Sequence, residues 1–234
     1  EEEMKRFVIE ENVFEMFPNL EIGVLSFKNV DNSGTGKADM LESVCKSLCE
    51  RLASGDEAEG YIKEYSLAMK KFKTKKGAKA SIDAMASRIA KGHILGTINP
   101  LVDIYNVICL KNLVTCGGED LDKIEGDMVL CFAKGDEEFI PLGEEENKPP
   151  KEDELIYRDD KGAVVRGWLW READRTKITE NTKNALLYME LIDENRKEKF
   201  KKIVSELEEL VLQELGGQCK ATIIDKNNPV CEIG

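Results

Sequence analysis

The chain has a single histidine, His93, and six prolines in 234 residues, and it has no CxxC pair. One imidazole among scattered serines gives no support to a Ser–His–Asp triad. Cysteines stand at 45, 49, 109, 116, 131, 219 and 231. Cys45 and Cys49 share a helix face, but no second pair has the spacing that a zinc site needs, so no metal is expected. An odd number of cysteines in a chain too long to need disulfide staples reads as free thiols in a reducing, cytoplasmic setting. No apolar run approaches the roughly 18 residues of a membrane span, and no secretory signal pattern opens the chain; no membrane partner is expected.

Excess positive charge is also missing. Lys and Arg number 34 against 46 Asp and Glu, a net charge of −12, which argues against broad nonspecific nucleic-acid binding and against DNA as a partner. The basic charge that exists is clustered, with Lys70, Lys71, Lys73, Lys75, Lys76 and Lys79 in one run. Such a run is either a solvated face or a local patch for an RNA backbone. Glu1–Glu3 before Met4 read as a cloning remnant, with Met4 as the natural start.

An apolar share of 41% and a charged share of 34% describe a soluble globular chain. Lys5–Ile9 and Glu21–Phe27 are β-branched and aromatic, as strands are. Helical spacing follows over Asp39–Leu52, Glu57–Phe72 and Ala80–Lys91. Asn99-Pro100 then opens another helix, asparagine capping it and proline taking the first turn. Strands are expected at Asp127–Ala133, Glu138–Leu142, Glu154–Tyr157, Ala163–Trp170 and Ala185–Ile192, with an acidic, proline-broken loop at Glu144–Glu154. A charged helix over Glu194–Leu215 ends at Gly216-Gly217, and Gln218–Asp225 is a last strand. This interleaving predicts one α/β domain over residues 4–234, with a mixed, largely antiparallel sheet flanked by helices.

Ser33-Gly-Thr-Gly-Lys37 fails as a phosphate-binding loop, because position 31 is Asp where the motif needs glycine and position 38 is Ala where it needs Ser or Thr. Val114–Asp127, VTCGGEDLDKIEGD, reads as a loop rich in carboxylates. It fails as a calcium site: the third ligand position is Ile124 and the turn glycine, Gly126, comes one place late. More informative is Asn99–Asn112, NPLVDIYNVICLKN, an apolar helix with Asp103 and Asn106 three residues apart on one face. Such polar groups serve either as structural hydrogen-bond partners or as part of a site. In Arg166-Gly-Trp-Leu-Trp-Arg171, a strand would place Arg166, Trp168 and Trp170 together, to stack a base or to pack on a helix.

Taken in order, NPLVDIYNVICLKNLVTCGGEDLDKIEGD, MVLCFAKGDEEFIPLGE and VVRGWLWREADRTKITENTKNALLYMELID resemble the tRNA-editing domain, of B3/B4 type, of the phenylalanyl-tRNA synthetase β chain. The likeness is strongest over residues 80–193. It implies that fold, an aminoacyl ester as substrate, water as nucleophile, tRNA as partner and no cofactor. No synthetase catalytic module is found in these residues, so the chain is not expected to charge tRNA by itself. The family's pocket asparagine falls on Asn106, and the threonine before it is Tyr105 here. The glycine of the family's GVMGG segment falls on Gly167. The family's pocket glutamate aligns with Tyr188, with Glu190 two residues on as a substitute on the same strand face. A family histidine falls on Gly117.

The resemblance thus implies hydrolysis in trans of a mischarged aminoacyl-tRNA. Asn106 would orient the substrate, Glu119 or Glu190 would bind the amino group or order water, and the backbone at Gly117, Gly118 and Gly167 would approach the ester. Tyr105 and Tyr188 would shape the pocket, while the run from Lys70 through Lys71, Lys73, Lys75 and Lys76, with Arg166 and Trp168, would meet RNA. The alternatives are a non-catalytic RNA-binding module and a pocket for a free amino acid or related metabolite.

Overall fold

The computed structural model describes residues 3–234; Glu1 and Glu2 of the expected remnant lie outside them. Two sheets are formed. The first has strand order β10–β1–β4–β5–β6–β7, from Val230–Glu232, Arg6–Ile9, Met128–Phe132, Leu155–Arg158, Ala163–Arg166 and Arg171–Glu172. The second has order β3–β8–β2–β9, from Thr115–Asp120, Ala185–Leu191, Glu21–Lys28 and Gln218–Ile224. Only β1 and β4 run parallel, so the architecture is mixed and largely antiparallel, as expected, although divided between two sheets where one was anticipated.

The helices are α1 (Val13–Met16), α2 (Ala38–Ser54), α3 (Ala58–Ala68), α4 (Ser81–Ala90), α5 (Pro100–Asn112) and α6 (Lys197–Leu215). Every residue of β8 is buried, because both of its faces are covered. Ala185, Leu187, Met189 and Leu191 pack with Leu101, Ile104 and Ile108 of α5 and Phe200, Leu207 and Val211 of α6. Leu186 and Tyr188 face the other way, joining Phe7, Leu130 and Tyr157 of the first sheet. Period two then sets Glu190 on that same inner face, between the sheets.

α5 begins as its sequence dictates: the Asn99 side chain accepts the Val102 N–H at 3.1 Å and Pro100 occupies the first turn. Asp103 is structural. Its carboxylate is buried and accepts the N–H groups of Lys37 at 2.9 Å and Ile98 at 2.8 Å. The glycine of the rejected phosphate motif has a packing reason, since a Cβ on Gly36 would fall 2.9 Å from Asp103 Oδ2.

Three local expectations are corrected. Residues 138–142 form no strand; Pro141 makes one isolated bridge to Ala173. β6 ends at Arg166 rather than Trp170, because Gly167 and Trp168 both take positive φ, +59° and +55°, and turn the chain. Val114–Asp127 is mostly not loop: Thr115–Asp120 is β3, held in register against β8, and Leu121–Lys123 is a 3₁₀ turn. Glycines and carboxylates have low strand propensity, and here tertiary pairing overrides it. Among the described residues, no helix is long and apolar enough to cross a membrane.

Candidate functional site

β3 ends one sheet and β7 ends the other, and between these two edges opens a cavity of about 450 Å³. α5 contributes Val102, Tyr105 and Asn106; β3 contributes Thr115, Cys116, Gly117 and Gly118. The Trp168–Trp170 turn, Arg171 and Glu172 face them, with Tyr188 and Glu190 of β8 and Ile178 completing the wall. Ile98 and Leu142 stand at the cavity with 69% and 46% exposure, giving it an apolar approach from solvent.

The structure thus brings Tyr105, Asn106, Gly117, Gly118, Trp168, Tyr188 and Glu190 to one cavity, and leaves Glu119, Gly167, Arg166 and the lysines outside its lining. Gly117 and Tyr188 are directly opposite in register. A Cβ on Gly117 would sit 2.6 Å from the Tyr188 ring, so the ring occupies the space that any side chain at 117 would need. Tyr188 OH donates to Glu119 Oε1 at 3.3 Å and Thr176 Oγ1 donates to Oε2 at 3.3 Å, so the fully buried Glu119 acts behind the wall, on Tyr188. Gly167 belongs to the turn, its N–H donating to Glu154 Oε2 at 3.1 Å.

Glu190 is buried and holds two hydroxyls. Tyr157 OH donates to Oε1 at 2.9 Å and itself accepts from Trp168 Nε1 at 3.4 Å; Thr115 Oγ1 lies 2.7 Å from Oε2. Burial pushes the carboxyl up to about 8, against the lowering effect of these hydroxyls. Glu119 is raised well above the carboxylate range by burial and then by the charge of Glu172. Glu172 itself is pushed up to about 7 by burial, while the nearby Gly118 backbone N–H holds it down. Its side chain is half-buried, yet what exposure it has is toward the cavity. Cys116 also faces the cavity, but burial keeps it a thiol, with its pKa well above the usual value, so it makes a poor nucleophile. Among the described residues no group of three or more His, Cys, Asp or Glu is placed to hold a metal ion.

Two expected RNA contacts are corrected. Arg166 is buried and bidentate to Glu154, with Nε and Nη2 each at 2.9 Å, and its Nη1 donates to the Lys148 carbonyl at 3.0 Å. Trp168 is 1% exposed, its ring tilted against Phe17 with centroids 4.9 Å apart. The positive-φ turn breaks the shared strand face that would have presented them together, leaving Trp170 half-buried over Arg166. Lys70, Lys71, Lys73, Lys75 and Lys76 are all exposed, in the segment joining α3 to α4. That segment is tied to the cavity wall: the Ser81 N–H donates to the Leu169 carbonyl at 2.8 Å, and Thr74 Oγ1 would be 3.2 Å from a Cβ on Gly167.

Sequence reasoning missed Glu172. A glutamate next to Arg171 looks like a solvated ion pair, and only the meeting of two sheet edges turns it inward.

The B3/4 domain family model matches residues 64–211, which include the 80–193 stretch of strongest resemblance. A phenylalanine–tRNA ligase beta subunit from Photorhabdus laumondii is 30% identical over 104 residues, which span 44% of this chain and 13% of that protein. The chain therefore corresponds to a small part of the length of that curated relative. A crystal structure of an N-terminal fragment of the phenylalanyl-tRNA synthetase beta subunit from Pyrococcus horikoshii aligns with a TM-score of 0.48 and 13% identity, over 94% of this chain and 52% of that one.

Proposed function

Because the chain belongs to the B3/4 domain family, we propose that it hydrolyses the ester of a mischarged aminoacyl-tRNA in trans, with water as the nucleophile. The observation that carries this reading is the convergence of Asn106, Glu172 and Glu190 on one cavity with apolar and aromatic walls. Carboxyl groups at a recessed site favour a cation. An aminoacyl ester offers an α-ammonium, which favours ionisation of these raised carboxyls, whereas a free amino acid also brings a carboxylate, which opposes it. The apolar wall formed by Val102, Ile178 and Leu169 suits the amino-acid side chain. Asn106 orients the acyl group and Glu190 receives the ammonium, and holding ester and water together supplies the rate.

The protein is tested against a panel of correctly and incorrectly charged tRNAs, following release of free amino acid. At least one mischarged species should be hydrolysed, and Asn106→Ala should slow it about 10²-fold, a loss typical of a mispositioned reacting group. A panel on which wild type and Asn106→Ala protein perform alike would sink the reading.

The exposed lysines beside the cavity suit the phosphate backbone of the same substrate. Reversing Lys70, Lys71, Lys73, Lys75 and Lys76 to Glu should raise KM for aminoacyl-tRNA at least tenfold and flatten its salt dependence, with kcat unchanged. An unchanged KM would remove this loop from the substrate's path.

A further inference from the structure

The open edge of β3 carries an unused piece of chemistry. In an antiparallel strand, the N–H groups of alternate residues point to the same side. Asp120 N–H points away from β8, donating to the Thr176 carbonyl at 2.8 Å. Gly118 and Cys116 share its parity, so their N–H groups also leave the sheet edge toward the β7 side. The Gly118 N–H faces the cavity, and Glu172 lines the same cavity from the edge of the other sheet. Gly118 leaves this edge bare, and a Cβ there would lie 2.6 Å from Leu187 Cδ2 and 2.8 Å from Ile178 Cδ1, so both would have to shift to admit one.

We propose that Glu172 is the general base of the hydrolysis and that the Gly118 N–H is the donor for the oxyanion, the two facing one cavity from opposite sheet edges. This rests on the ester-hydrolase reading above and names the groups that act in it. When the ester enters, its carbonyl oxygen takes the Gly118 N–H, and the Glu172 carboxylate faces water. Glu172 removes a proton from that water as its oxygen bonds to the acyl carbon, and the carbonyl π electrons move to the oxygen held by Gly118. The tetrahedral adduct then re-forms the carbonyl and breaks its bond to the ribose oxygen, which takes the proton from Glu172. One ester and one water become a free amino acid and a free terminal hydroxyl, with the base restored.

The proton transfer falls on Glu172, at the edge strand β7. Other titrating and charged groups surround it: Tyr105 on α5, Cys116 and Glu119 on β3, Tyr188 and Glu190 on β8, and Arg171 and Lys177 at the rim. A rate profile alone therefore does not assign the base, and a local probe is needed.

The test has two arms. In the first, single-turnover hydrolysis of the best mischarged tRNA is followed from acid to alkaline pH for wild type and for Glu172→Gln. The expected result is a loss of about 10²–10⁴-fold in kcat with KM little changed, and disappearance of the inflection nearest neutrality. In the second arm, the backbone amide of Gly118 is followed by NMR in the substrate-free protein. Its shift should titrate near neutral pH in wild type and stay flat in Glu172→Gln. An active wild type whose kcat survives Glu172→Gln, or a Gly118 amide indifferent to pH, overturns this assignment alone. A wild type inert on every aminoacyl-tRNA overturns the hydrolase reading and this one together.

Discussion

Glu154→Ala should destabilise the protein by about 3–5 kcal/mol, the usual consequence of leaving one member of a buried ion pair without its partner. Glu154 is fully buried, and it accepts from Arg166 through both carboxylate oxygens. It also accepts the Gly167 N–H, so the substitution strands a guanidinium and a backbone donor together. The damage should reach the cavity, because Gly167 opens the turn that carries Trp168, Leu169 and Trp170 into its wall. Urea unfolding measures the stability, and Trp fluorescence reports the turn. Replacing both partners by apolar residues, Glu154→Leu with Arg166→Met, should recover most of the loss, since no charge is then left alone in the interior. If the double substitution unfolds as easily as the single one, volume and not charge is what holds this turn.

The ion pair also shows where a sequence stops being readable. Arg166, Trp168 and Trp170 alternate as a strand should, and nothing local announces that Gly167 and Trp168 will take left-handed φ. The reason lies twelve residues earlier in sequence, in Glu154, which anchors Arg166 and Gly167 at once. α5 was legible because its signals are local: an Asn cap, a Pro in the first turn and a continuous apolar run. β3 was hidden because its strand character comes from β8, whose seven buried residues impose the pairing. Glu190 was reachable from sequence, since period two takes it to the face of Tyr188.

A subtler case is the pair of departures from the family pattern at Gly117 and Tyr188. In sequence they look unrelated, two positions at which the resemblance implies a histidine and a glutamate. In the fold they are register partners, and the Tyr188 ring fills the volume over Gly117. The two positions are coupled: a ring placed as that of Tyr188 leaves room only for glycine at 117, and its hydroxyl is secured by Glu119. The carboxyl groups that remain on the cavity are Glu190, on the same strand face, and Glu172, from the other sheet.

Those carboxyls make stability depend on pH in an unusual direction. Glu190 is raised from 4.5 to about 8 by burial, and Glu172 is raised to about 7. The folded protein therefore keeps protons that the unfolded chain releases, so this stability is fully present below about pH 4.5 and is lost as pH rises through the folded values. For Glu190 the shift corresponds to a ceiling on the order of 5 kcal/mol. The protonated form fits its surroundings: Tyr157 donates to Oε1, while a proton on Oε2 can be given to Thr115 Oγ1, which then donates to the Glu190 backbone carbonyl at 3.3 Å. Glu190→Gln keeps that shape and cannot ionise. It should match wild type in urea unfolding at acid pH and exceed it by several kcal/mol above pH 8, where wild type must bury a charge. Parallel stability curves for the two proteins would show that Glu190 does not titrate in the folded state. The same substitution removes the carboxyl that an arriving ammonium would ionise and pair with, so KM should rise as alkaline stability improves. A carboxyl whose ionised form weakens the fold would then owe its place between the sheets to the ligand rather than to packing.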